Sequence, residues 1–308
     1  MDADGVIADE HLALSGLRRG NLFELEDRRS SVLRHADRFH GFLPAPEDTL
    51  SRAIYYTVTG PPDAPVVLLL HGLGSCGDDW TPQLPALVDR YRVLTVDLPG
   101  HHRSARPRGP FSIAAMAAAV DRLLGDLAIA RAHVVGLSLG GCVALTLAVE
   151  APARVRSLVV VNGFARLRPS GARGALRGAA RALLALAAPM PLVAAWVARE
   201  AFPRDEHAAL RAAATARIAG MTRAQYLASL VALVRFDVGA RLAEIRCPTL
   251  IVAGARDTTV PLAAKEAIAA AIPHARLALL PESGHVSPHD DPAGFNRLLL
   301  NHLSLAPA

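Results

Sequence analysis

Short runs of apolar residues recur along the chain, each closed by glycine, proline or a polar turn, and most followed by a stretch with helical spacing. Val66-Val67-Leu68-Leu69-Leu70 is continuous and ends in His71-Gly72-Leu73-Gly74-Ser75. A run with no polar alternation fits a strand of a parallel sheet covered on both faces. The same pattern predicts strands over Tyr91–Asp97, Ala132–Gly136, Leu158–Asn162, Pro248–Asp257 and Ala275–Pro281, with helices near Asp79–Asp89, Ile113–Leu127 and Leu262–Ile272. Strands alternating with helices predict an α/β fold with a mostly parallel central sheet and helices on both faces.

Four pieces follow along the chain. Residues 1–48 are polar, charged and weakly periodic; they fit a helix with an edge strand, a dimer arm or an extended linker. Residues 49–162 carry the first part of the core and residues 241–308 the second. Between them, residues 163–240 change to long alanine-rich helical stretches. Ala175 to Ala198 is apolar on more than one face, through Leu176, Leu183, Leu184, Leu186, Met190, Leu192, Val193, Trp196 and Val197. Pro189 and Pro191 interrupt it, which argues against a membrane span. Packing against the core accounts for such a stretch; a face lining an apolar pocket, with Trp196 in it, is the functional alternative.

Composition narrows the class. With 308 residues, 52% of them hydrophobic, the chain can bury a substantial interior. The net charge of +5 comes from scattered arginines, Lys265 being the only lysine, and no basic-aromatic stripe suggests a nucleic acid. Three cysteines, Cys76, Cys142 and Cys247, lack metal or redox spacing, so no metal and no cofactor is expected. The first residues are acidic and lack a basic-then-apolar signal, which makes the cytoplasm the expected location, as a monomer or homodimer.

Chemistry concentrates at strand ends. Gly136-Leu137-Ser138-Leu139-Gly140 joins an apolar strand to a helical stretch, so Ser138 must occupy a sharp turn whose flanking glycines allow close backbone approach. The helix that follows aims its free N–H groups and partial positive charge at that turn. A serine needs a base and an orienting acid to become a nucleophile. Asp257 ends the strand in Pro248-Thr249-Leu250-Ile251-Val252-Ala253-Gly254-Ala255-Arg256-Asp257, and His285 lies in Glu282-Ser283-Gly284-His285 after the last strand.

Together with Asp97-Leu98-Pro99-Gly100-His101-His102-Arg103-Ser104, these stretches resemble the α/β-hydrolase fold, in the subgroup with an inserted helical cap. The resemblance implies a triad of Ser138 as nucleophile, Asp257 as orienting acid and His285 as general base. It also implies an oxyanion hole from the backbone N–H groups of Leu73 and Leu139, with His71 and Gly72 supporting the loop, and a cap over residues 163–240. The family loop after Asp97 usually has glycine where His102 stands, and a histidine there could reach substrate. Serine at 138 disfavours the aspartate-nucleophile dehalogenases and epoxide hydrolases of this architecture.

The expected activity is cleavage of a carboxylic ester or lactone of a small to medium hydrophobic substrate through an acyl-enzyme. Thioesterases and carbon–carbon bond hydrolases share these motifs. A catalytically weak ligand-binding relative is the reading from a different class.

Overall fold

The computed structural model describes residues 54–106, 111–167 and 171–306; the expectations for residues 1–48 lie outside them. Seven strands build one sheet: β1 Tyr56–Thr59, β2 Val66–Leu70, β3 Arg92–Val96, β4 Ala132–Leu137, β5 Val155–Val161, β6 Thr249–Gly254 and β7 Arg276–Leu280. Their order across the sheet is β1-β3-β2-β4-β5-β6-β7. Only β1 runs antiparallel, against β3; the other neighbours are parallel. In register, Leu70 of β2 faces Gly136 of β4, so the loops that follow them leave the same edge of the sheet.

Alternate residues of each strand feed two separate apolar layers, as the period of two requires. Leu68, Leu70, Val134, Leu158, Val160 and Ile251 face one layer, covered by α1 (Ile113–Asp126), α2 (Leu139–Glu150) and a later helix, α7 (Leu262–Ala271). Val67, Leu69, Val135, Val159 and Val252 face the other, with Trp80, Leu87 and Phe295 and Leu299 of α8 (Pro292–Leu303). Both faces being dry explains why the strands read as unbroken apolar runs.

The predicted helix near Asp79–Asp89 is instead a 3₁₀ segment, Gly77–Gln83, and a single α turn, Leu84–Leu87. Pro82 and Pro85 remove amide donors that a continuous helix would need.

Four helices lie between β5 and β6: α3 Gly171–Ala187, α4 Met190–Ala201, α5 Ala208–Ala219 and α6 Arg223–Arg235. Pro189 breaks the stretch that reads as one apolar segment into α3 and α4. These helices share an apolar cluster of their own, built from Ala185, Val193, Val197, Ile218, Met221 and Tyr226, against which Leu73 packs.

The orientation of α3 corrects the sequence expectation. Leu176, Leu183 and Leu186 are 71%, 67% and 61% exposed, and Leu192 at the start of α4 is 59% exposed. The face of α3 that lines the cavity over the sheet edge carries Gly174, Arg177, Gly178, Arg181 and Ala182, while Leu184 and Ala185 pack against the neighbouring helices. No helix among the described residues is long and apolar enough to cross a membrane.

Candidate active site

Ser138 sits between β4 and α2 with φ 53° and ψ −111°. A non-glycine residue there is strained by roughly 1–3 kcal/mol, a conformation that persists only where its surroundings over-determine it. They do so here. The Ser138 N–H donates to Val161 O at 2.9 Å, and the Cys142 N–H donates to Ser138 O at 3.0 Å. A Cβ at Gly136 would lie 2.2 Å from Gly140 O, and one at Gly140 would lie 2.2 Å from Leu70 O. Both glycines are therefore required by close backbone approach, and the turn is held tight between β2, β4 and α2.

His285 reaches Ser138 from the loop after β7. Its Nε2 lies 3.0 Å from Ser138 Oγ, and its Nδ1 lies 3.0 Å from Asp257 Oδ2. The Asp257 side chain is fully buried, and its other oxygen, Oδ1, accepts the Thr259 and Val260 N–H groups at 2.8 and 3.1 Å. Burial alone would raise its pKa, but the neighbouring His285 and the Lys265 ammonium outweigh that and hold the carboxyl well below the usual range. A carboxylate fixed in this way favours the tautomer with the proton on Nδ1, leaving Nε2 free to accept the serine proton.

Two residues that sequence reasoning passed over complete the arrangement. Lys265 Nζ donates to Asp257 Oδ2 at 2.7 Å. Asn162, buried and in the left-handed region at φ 46°, follows β5. Its Oδ1 accepts the Gly254 N–H at 2.8 Å, and its Nδ2 reaches the carbonyls of Gly284 and His285 at 3.0 and 2.8 Å. It thus ties the end of β6, which leads to Asp257, to the loop carrying His285. The available signal was a polar residue directly after a buried apolar run.

In Asn162→Ala the Gly254 N–H and the His285-loop carbonyls lose this partner, each at about 1–3 kcal/mol if left unsatisfied. The expected result is a lower urea midpoint and a kcat reduced about 10²-fold through displacement of His285. Wild-type stability and turnover in that variant would remove Asn162 from the site.

His71 joins the loop after β2 to the loop after β3. Its Nε2 accepts the Leu98 N–H at 2.8 Å, so Nδ1 carries the proton and donates to Gly72 O at 2.7 Å. Burial and the adjacent His101 lower its pKa to about 3, which keeps it neutral. Gly72 and Leu73 line the cavity above Ser138, and Leu139 supplies the first N–H of α2, one of those a helix leaves without an internal acceptor.

The neighbouring loop is held by buried Asp97, which accepts Arg103 Nε at 2.7 Å and the Gly77 N–H at 2.7 Å. His102 in that loop takes φ 44°, the region glycine favours, so the backbone here keeps the glycine conformation although a histidine occupies the position. It is exposed and is not among the residues lining the cavity, contrary to the expectation that it could reach substrate. It does lie near Cys76 and Asp78, a potential metal-ligating group outside the triad, but Asp78 is already paired with Arg103 at 2.8 Å. Cys142 is buried under the elbow with its thiol toward Phe164 O, and burial pushes that thiol's pKa up.

Ser138 and His285 open into a cavity of about 420 Å³ between the sheet edge and α3–α6. Its walls include Leu73, Phe164, Trp196, Ile218, Leu233 and Val234, with Arg177, Arg181 and His289 as polar elements. Trp196, one of the two pocket candidates from the sequence, is in the lining.

The sequence matches the family model described as alpha/beta hydrolase fold over residues 65–292. The chain belongs to the α/β-hydrolase fold family. Among its relatives, a protein of Caulobacter sp. (strain K31) with the provisional name carbamate hydrolase RutD is 36% identical, over 82% of this chain and 96% of that one. Its counterpart in Variovorax paradoxus (strain S110) is 37% identical, over 83% and 97%.

Solved structures of the family superpose over most of the chain. A hydrolase from Pseudomonas aeruginosa PA01 gives a TM-score of 0.75 at 35% identity, covering 83% of this chain and 96% of that one. The enol-lactonase from Burkholderia xenovorans LB400 gives 0.75 at 27% identity, covering 82% and 96%. An α/β-hydrolase enzyme is what these likenesses support.

Proposed function

We propose that this α/β hydrolase is a serine hydrolase that cleaves a carboxylic ester or lactone of a small to medium hydrophobic substrate through an acyl-enzyme. The observation that carries the reading is the pair of 3.0 Å contacts joining Ser138, His285 and Asp257 at the floor of the cavity.

As Ser138 Oγ attacks the carbonyl carbon, its proton passes to His285 Nε2, and Asp257 steadies the imidazolium that forms. The carbonyl oxygen becomes an oxyanion, facing the N–H groups of Leu73 and Leu139. Collapse expels the alcohol, which takes the proton from His285. Water then repeats the sequence on the acyl-serine and releases the acid.

In this reading α3–α6 form the cap that shuts the cavity from water. A volume of about 420 Å³ falls at the lower end of small-molecule sites, and its apolar walls suit an aliphatic or aromatic acyl group. Arg181 and the Arg177–Glu200 pair would meet a polar substituent rather than a long unbroken chain.

The provisional name of the 36–37% identical relatives favours a second reading, hydrolysis of a carbamate. The same nucleophile and oxyanion hole would serve, with a carbamoyl-serine in place of the acyl-serine.

The test measures kcat/KM on p-nitrophenyl esters from acetate to decanoate, a lactone, a thioester and a p-nitrophenyl carbamate. The ester reading expects a maximum at short to medium acyl length, falling for the longest. Fast turnover of the carbamate with feeble ester cleavage would move the assignment to the second reading. A folded protein that takes a fluorophosphonate on Ser138 yet hydrolyses none of the series would overturn both.

A further inference from the structure

The single lysine in this chain has its side chain fully buried against the triad acid. Lys265 Nζ donates to Asp257 Oδ2 at 2.7 Å and to Val260 O at 2.9 Å. The same Oδ2 faces His285 Nδ1 at 3.0 Å. One carboxylate oxygen therefore stands between an ammonium and the triad imidazole.

We infer that Lys265 is a positioning residue that sets the acid limit of catalysis: its charge offsets that of Asp257 and so keeps His285 unprotonated to lower pH. The inference rests on the serine-hydrolase reading above.

The chemistry of the pocket accounts for lysine here in a chain otherwise supplied with arginine. A guanidinium carries five N–H donors in a planar fork, whereas an ammonium is a compact charge with three. Within hydrogen-bond distance of Lys265 Nζ are Asp257 Oδ2 and Val260 O, a set that suits the smaller group. A carboxylate alone beside an imidazole stabilises the imidazolium, and a second cation on the same oxygen opposes it. Lys265 thus weakens the hold of His285 on a proton while still fixing the Asp257 oxygens for the hydrogen bond to Nδ1.

Other charged groups flank the pair: on the segment carrying His285, Asp290 Oδ2 accepts the Gly284 N–H at 2.7 Å and His289 lines the same cavity. On the Asp257 loop, Arg256 pairs with Glu282. From α3, Arg177 pairs with Glu200 at 2.6 Å and lies 3.5 Å from Thr258 O. Glu266, the other charged residue of α7, is exposed. Burial lowers the pKa of Lys265 by more than the Asp257 carboxylate raises it, which makes the charge of the amine a direct test.

Two measurements decide the matter. The first is the kcat/KM profile of Lys265→Met and Lys265→Gln beside wild type, between about pH 5 and 9, where histidine titrates. Both variants lack the charge, and both are expected to shift the acid limb upward by about one pH unit, with the plateau within about tenfold of wild type. A folded variant whose limb stays in place overturns the inference, because a purely structural contact would change stability or the plateau and leave the limb unmoved.

The second uses the intact wild-type chain, where labelled lysine gives a single lysine spin system. Its ε-carbon resonance should report an ammonium through the whole acid limb, with a step as His285 is protonated. A neutral amine in that range overturns the inference whether or not the variants fold. Failure of the serine-hydrolase reading would show separately, as an active Ser138→Ala, while the lysine resonance still reports its charge.

Discussion

Ser138→Ala is expected to lower kcat on any substrate of this enzyme by roughly four to six powers of ten, the loss seen when a serine triad loses its nucleophile. Binding should survive. The strained φ of 53° at this position is imposed by the Ser138 N–H bond to Val161 O and by the close packing of Gly136 and Gly140, none of which involves the hydroxyl. The variant should therefore keep the wild-type thermal midpoint and bind a product acid with unchanged Kd, while no longer reacting with a fluorophosphonate. Residual turnover above about one per cent of wild type would be incompatible with Ser138 as nucleophile.

Asp257→Asn should be nearly as damaging to turnover and far more damaging to stability. An amide facing His285 Nδ1 no longer enforces the tautomer that leaves Nε2 free, a change that costs about 10⁴ in kcat in a triad. It also strips Lys265 of its counter-charge at a position where both side chains are fully buried. Breaking a buried pair from one side costs about 3–5 kcal/mol, because the remaining charge stays desolvated. Urea unfolding of Asp257→Asn and of Asp257→Asn with Lys265→Met separates the two effects. The second change should restore much of the stability and none of the activity. Recovery of turnover in the double variant would show that Asp257 acts through Lys265 rather than through His285.

The strands were legible because both faces of the sheet are covered, which leaves the local sequence no choice but continuous apolar residues, as in Val66–Leu70. Ser138, Asp257 and His285 were legible because each lies beyond such a strand, where the chain must turn and can present a side chain. The helix near Asp79–Asp89 was misread because apolar spacing survived there while Pro82 and Pro85 removed the donors. Lys265 gave a faint signal, a lone cation among alanines with Ile268 one turn on. Asn162 gave less, since its partners lie 92 to 125 residues away.

What the sequence determined by itself was the α/β layering, the serine turn and the placing of Ser138, Asp257 and His285 beyond strand ends, since strand burial, turn sterics and glycine requirements act over a few residues. Tertiary structure alone decided which face of α3 looks inward. Periodicity shows that a helix is apolar on a given side, but only the neighbouring helices decide that Leu176, Leu183 and Leu186 face outward while Arg177 and Arg181 line the cavity. It also decided that the one lysine and a strand-end asparagine lock the triad, because a hydrogen bond between distant segments is fixed by where the sheet edge brings them and not by the residues on either side.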